Sequence, residues 1–307
     1  MNVHEWSLVI FTIITQMAVG SFVLLGGIHF FAARKYGIEN ADKLSDRALL
    51  AIGPVLVLGV IATFFHLGNP INAPRAISNL GSSWLSREIA LVLVFTVGGA
   101  VFAFMQWRKI GSSTIRNVIA LVIAAVGLVL IYAMASVYLL PTIPAWNTFI
   151  TPVSFYVTTF LLGALAIGSA YVITYWRLRG HEGDAEKVQY NIVAITLRWL
   201  ALISLVMLGV QFVVIPLYVA GLATNPTPAA MESAMILTEV NSIWFVLRLG
   251  LLFVGAGVFS LFLYRSAGNE AQIRVIGNLA YGAFALVFIA EVIGRYLFYT
   301  SMVRIGI

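Results

Sequence analysis

Eight stretches of about 20 mostly apolar residues recur along the chain, at 8–33, 48–67, 87–107, 117–141, 152–176, 196–220, 242–264 and 276–300. At 1.5 Å of rise per residue, each is long enough to cross the hydrocarbon of a bilayer as an α-helix. The polar stretches between them are short, and none has the length of a soluble domain. The pattern therefore predicts an all-α integral membrane protein, a single transmembrane helical-bundle domain over 1–307. The run that follows Met1–Ser7 has no basic region ahead of it and is too long for a signal peptide, so it reads as a retained first span.

Composition sharpens this. Hydrophobic residues make up 61% and charged residues 10%, with a mean hydropathy of +0.98; soluble domains carry roughly 25% charge. In such a protein the net charge of +6 reports topology rather than nucleic-acid binding. Arg34, Lys35, Lys43, Arg47, Arg108, Lys109, Arg116, Arg177, Arg179, Lys187, Arg265 and Arg274 all fall in the first, third, fifth and seventh connections. The second, fourth and sixth hold only Arg75, plus Arg87 at a helix start. The odd connections are thus expected in the cytoplasm and both termini on the outer, periplasmic side. Cysteine is absent, which leaves no thiolate for an iron–sulfur cluster.

Ionisable residues at membrane depth are functional candidates. The hairpin Phe64–Phe95, FFHLGNPINAPRAISNLGSSWLSREIALVLVF, gathers His66, Arg75, Arg87 and Glu88. The bland reading makes Ser86 a helix N-cap and Glu88 a first-turn acid complementing the helix dipole, with His66 at the interface. The functional reading makes His66 and Glu88 a proton-accepting site open to a lipid-soluble substrate. Arg248, Glu291 and Arg295 sit in the outer halves of the last two spans, where a structural ion pair is the expected role. Of the four histidines, His4 and His181 fall outside the spans and His29 and His66 near opposite faces. That spacing predicts no haem. The glycines 20, 26 and 27, and 250, 255 and 257, read as close helix-packing positions.

The His66-Leu67-Gly68-x-Pro70 motif, the run from Asn79 to Ile89 that ends in Leu-Ser-Arg-Glu-Ile, and the opening His4-Glu5-Trp6-x-Leu8 resemble the DmsC family. These are membrane anchor subunits of bacterial dimethyl sulfoxide reductase-type molybdoenzyme complexes, multi-pass proteins of the inner membrane. The resemblance spans the whole sequence. It implies a subunit that oxidises menaquinol near the outer face and passes electrons to an iron–sulfur subunit, which feeds a molybdopterin catalytic subunit. The family's functional glutamate falls on Glu88 and its functional histidine on His66. Arg75 and Arg87 are expected either to bias the acid or to anchor the partner. Two other readings stand beside this one: a secondary transporter or proton channel using Arg248, Glu291 and Glu88, and an anchor without a quinol site.

Overall fold

The structure, a computed structural model, describes residues 3–64, 77–178 and 184–306. It is built from α1 (Val3–Tyr36), α2 (Ile38–Phe64), α3 (Trp84–Arg108), α4 (Ser113–Ser136), α5 (Ile150–Leu178), α6 (Asp184–Ala223), the short α7 (Pro228–Met235), α8 (Ser242–Leu252), α9 (Ser260–Ser266) and α10 (Ile273–Thr300). No strand occurs among the described residues. Among the described residues, eight helical stretches are long and apolar enough to cross a membrane: α1 to α6, the continuous run Ser242–Ser266, and α10.

α1 and α5 form the centre. Their most apolar windows are 72% and 78% buried, against 17% for α3 at the rim. Small residues bring the two central helices into backbone contact: a Cβ on Gly20 would collide with the Thr159 carbonyl, and one on Gly163 with the backbone of Gly20. Gly26, Gly27 and Gly250, expected to serve the same purpose, have nothing within 4 Å of where a Cβ would stand. Among the described residues, no neighbouring helix packs against those glycines at Cβ distance.

Several boundaries differ from the hydropathy pattern for local reasons. The first connection is a single residue, Gly37, whose φ of 87° lets α1 stop and α2 begin at once. The fourth span ends at Ser136 rather than 141, and 137–149 forms a run of turns containing Pro141 and Pro144. The seventh span is not one regular helix. Two π-helical segments, Ile236–Val240 and Phe253–Phe259, bracket α8.

The two terminal regions lie at the same end of the bundle. Trp6 stacks on Tyr296 with ring centroids 6.1 Å apart, and the Ile305 N–H donates to the Thr142 carbonyl at 2.9 Å. The opposite end is tied by a polar network. Lys109 Nζ reaches Asp42 and Asp46, each at 2.7 Å; Gln106 Nε2 donates to the same two carboxylates, and His29 Nε2 lies 2.8 Å from Asp42. Arg116 is not a loop residue: it is buried in the first turn of α4 and donates to Gln106 Oε1 at 2.8 Å. Burial disfavours the Lys109 charge, but the hydrogen bonds and charges of both carboxylates outweigh it and hold the ammonium above its ordinary range.

Candidate functional site

The helix that carries Glu88 starts earlier than its sequence suggests. Ser83, not Ser86, is the N-cap of α3; its hydroxyl accepts from the Ser86 N–H at 3.4 Å. Ser86 is itself inside the first turn and buried, which places Glu88 in the second turn, past the reach of a first-turn dipole contact. After Ser86, the buried residues of α3 read Glu88, Val92, Phe95, Phe102 and Gln106, a helical stripe in steps of three, four and seven residues. Glu88 thus heads the inward face of an otherwise lipid-exposed helix and is only 8% exposed.

Among the described residues, no ion pair and no hydrogen bond holds the Glu88 carboxylate. Its neighbour Arg87 is engaged elsewhere: Nε donates to the Leu80 carbonyl at 2.8 Å, Nη2 to that of Gly81 at 2.7 Å, and the guanidinium lies 4.3 Å from the Trp84 ring. Arg87 therefore pins the turn before α3. His66 and Arg75 lie outside the described residues.

Two tyrosines, Tyr138 and Tyr299, lie within electrostatic range of Glu88. Their hydroxyls share a 2.6 Å hydrogen bond, joining the connection after α4 to the end of α10. Around them stand Trp146, Phe155 and Phe298. Trp146 stacks on Phe298 at 5.2 Å, and Tyr138 meets all three rings, edge-on or tilted, within 5.7 Å. Nothing in the polarity pattern singled out this aromatic wall. Its signal, Tyr138 and Trp146 flanking two prolines, is no different from an ordinary interfacial belt.

Behind the wall lie the other ionisable groups. Arg295 sits 3.9 Å from the Phe155 ring centroid and donates through Nη2 to Gln16 Oε1 at 3.0 Å. Glu291, 2% exposed, accepts from Gln211 Nε2 at 2.6 Å and Thr158 Oγ1 at 2.8 Å. Arg248 Nη2 stands 4.0 Å from Glu291 Oε2, a charge contact too long for a hydrogen bond. The structure so brings Arg248, Glu291 and Arg295 into one cluster, and both Arg295 and Glu88 lie within electrostatic range of the tyrosine pair. Among the described residues, no three His, Asp or Glu side chains converge to hold a metal ion.

This arrangement is found in a protein with clear relatives. The family model of the DMSO reductase anchor subunit (DmsC) matches residues 1–301. A subunit of the anaerobic dimethyl sulfoxide reductase of Haemophilus influenzae is 30% identical over 299 residues, covering 97% of this chain and 95% of its own length. A subunit of the Escherichia coli K12 anaerobic dimethyl sulfoxide reductase is 28% identical over 308 residues, covering 99% and 96%. The bd oxidase of Geobacillus thermodenitrificans supplies a solved structure that superposes with a TM-score of 0.67 over 97% of this chain and 85% of that one, at 12% identity, a likeness of backbone architecture alone. Across nearly its full length, this chain belongs to the DMSO reductase anchor subunit (DmsC) family.

Proposed function

We propose that this membrane anchor oxidises a lipid-soluble quinol, menaquinol, at the bundle end that carries both termini, and that this end faces the periplasm across the bacterial inner membrane. One observation carries the reading: a buried carboxylate, Glu88, heads the inward face of α3 with its acceptor positions unfilled among the described residues, beside a hydrogen-bonded pair of tyrosine hydroxyls. A carboxylate must be ionised and within reach of a hydroxyl to take its proton. Quinol gives up two electrons and two protons to become quinone. Glu88 accepts one proton and the other leaves to water at this end; His66, assigned by family resemblance, binds the hydroxyl or relays a proton outward. Arg87 holds the turn that aims α3, and Arg75, in the same hairpin of the sequence, biases the acid or anchors the partner. With no cysteine in the sequence, the electrons leave to the iron–sulfur centre of a partner docked at this end, which supplies a molybdopterin catalytic subunit.

Glu88→Gln keeps the shape and removes the base. In the assembled complex it is expected to abolish quinol-dependent turnover while leaving turnover with an artificial donor to the soluble subunits intact. Unchanged quinol oxidation would return Glu88 to a packing role. Purification of the protein without any iron–sulfur partner would favour the transporter reading instead. Orientation has its own test, clean because cysteine is absent: a single cysteine at the exposed Asn79 should be labelled by an impermeant maleimide from the periplasm, and one at Lys109 only after lysis. The reverse pattern would invert the topology.

A further inference from the structure

Between α5, α6, α8 and α10 lies a chamber of about 80 Å³, lined among others by Thr158, Gln211, Tyr218, Arg248, Glu291 and Arg295. At about 30 Å³ per water in the liquid, it has room for a head of a few heavy atoms. It is polar for an unusual reason. Both Glu291 oxygens are already taken by neutral donors, Gln211 and Thr158. Arg248, with five N–H donors, makes no hydrogen bond among the described residues and meets Glu291 only at 4.0 Å. Two guanidinium groups and one carboxylate line the space, so the chamber carries an excess positive charge.

The chamber adjoins an apolar cleft of about 360 Å³ between α6 and α8, lined by Phe212, Pro216, Val219, Ala220 and Leu249; Ile215 and Phe245 border both spaces. The backbone is shaped to this end. Arg248 lies directly on Gly294, where a Cβ would stand 2.5 Å from Nε. The helix carrying Arg248 is flanked on both sides by π-helical segments, a rare geometry that is frequent at functional sites.

The geometry points to a binding site for an anionic amphiphile, its charged oxygens on Arg248 and its apolar tail in the α6–α8 cleft. A guanidinium without acceptors favours a carboxylate or phosphate over a neutral oxygen, since charge-assisted hydrogen bonds are the stronger. The cleft requires that this anion carry a hydrocarbon tail. A phospholipid phosphodiester and a fatty-acid carboxylate share that chemistry. Glu88 is not among the residues that line the chamber, and the site does not depend on the quinol reading.

The test uses the full-length protein, purified with the subunits that accompany it and placed in phosphatidylcholine nanodiscs. These carry a trace of photoreactive phosphatidylglycerol, photoreactive fatty acid or photoreactive diacylglycerol, and cross-links are mapped by mass spectrometry. One of the two anionic probes should label residues 205–223 and 242–252, and which one does identifies the source. Arg248→Gln should reduce that label about tenfold, the loss expected for one charge-assisted hydrogen bond. Leu249→Trp, which fills the cleft without touching a charge, should do the same and guards against a folding defect in the first variant. Equal labelling by neutral diacylglycerol, or undiminished labelling in Leu249→Trp, overturns the site.

Discussion

At the scale of single residues, what decides each side chain's role is whether its charge is answered. Glu291 is answered twice over by neutral donors, and Arg295 by Gln16 and two aromatic faces. Arg248 and Glu291 still share a poorly screened interior, and removing one member of a buried pair costs roughly 3–5 kcal/mol because the other is stranded. Glu291→Gln and Arg248→Met should each lower the yield of assembled protein, and the double variant should recover part of it. Strictly additive losses, read from the quantity of detergent-stable complex, would mean that the two do not stabilise one another. The similar depth of these residues on adjacent spans was visible in the sequence. The partners of Glu291 were not, because Thr158 and Gln211 lie on other helices and a lone Thr or Gln in a span carries no periodic signal.

At the scale of elements, the spans were legible and their ends were not. Apolar runs of the required length fix the number of crossings, but GSSWLSRE offers three serines, and only three-dimensional reach makes Ser83 the cap. That three-residue shift turned Glu88 from a first-turn acid into an inward-facing one. The stripe from Glu88 through Val92 and Phe95 to Gln106 was present in the sequence all along, masked by uniformly apolar neighbours. The π-helical segments of the seventh span have no signature at all in hydropathy. Helix contact was legible only in part: Gly20 packs as expected, while its counterpart Gly163 became evident from the backbone contact of α1 and α5. Forcing a side chain between those backbones is costly, since overpacking alone runs to about 1–3 kcal/mol. Gly163→Val should therefore lower the midpoint of thermal inactivation of the complex, whereas Gly26→Ala, with open space around it, should leave it unchanged. Equal effects would show that the central crossing is looser than the structure depicts.

At the scale of the whole molecule, the charged and amide side chains of the described residues gather in two networks toward opposite ends of the bundle, with mainly apolar side chains between them. On α1, Gln16 belongs to the cluster beside Arg295 and His29 to the network of Asp42 and Lys109. Thirteen residues separate them, about 20 Å of helix, and the intervening Met17, Val19, Phe22 and Leu25 are buried core. This waist has a bioenergetic consequence. If quinol is oxidised at the end that holds Glu88, its protons and electrons both depart from that end, and no charge has to travel the thickness of the bilayer. Turnover would then neither build a membrane voltage nor be slowed by one. Vesicles containing the complex should respire at the same rate whether the voltage is collapsed with valinomycin and potassium or maintained. A rate that rises when the voltage is collapsed would reveal a charge crossing the waist.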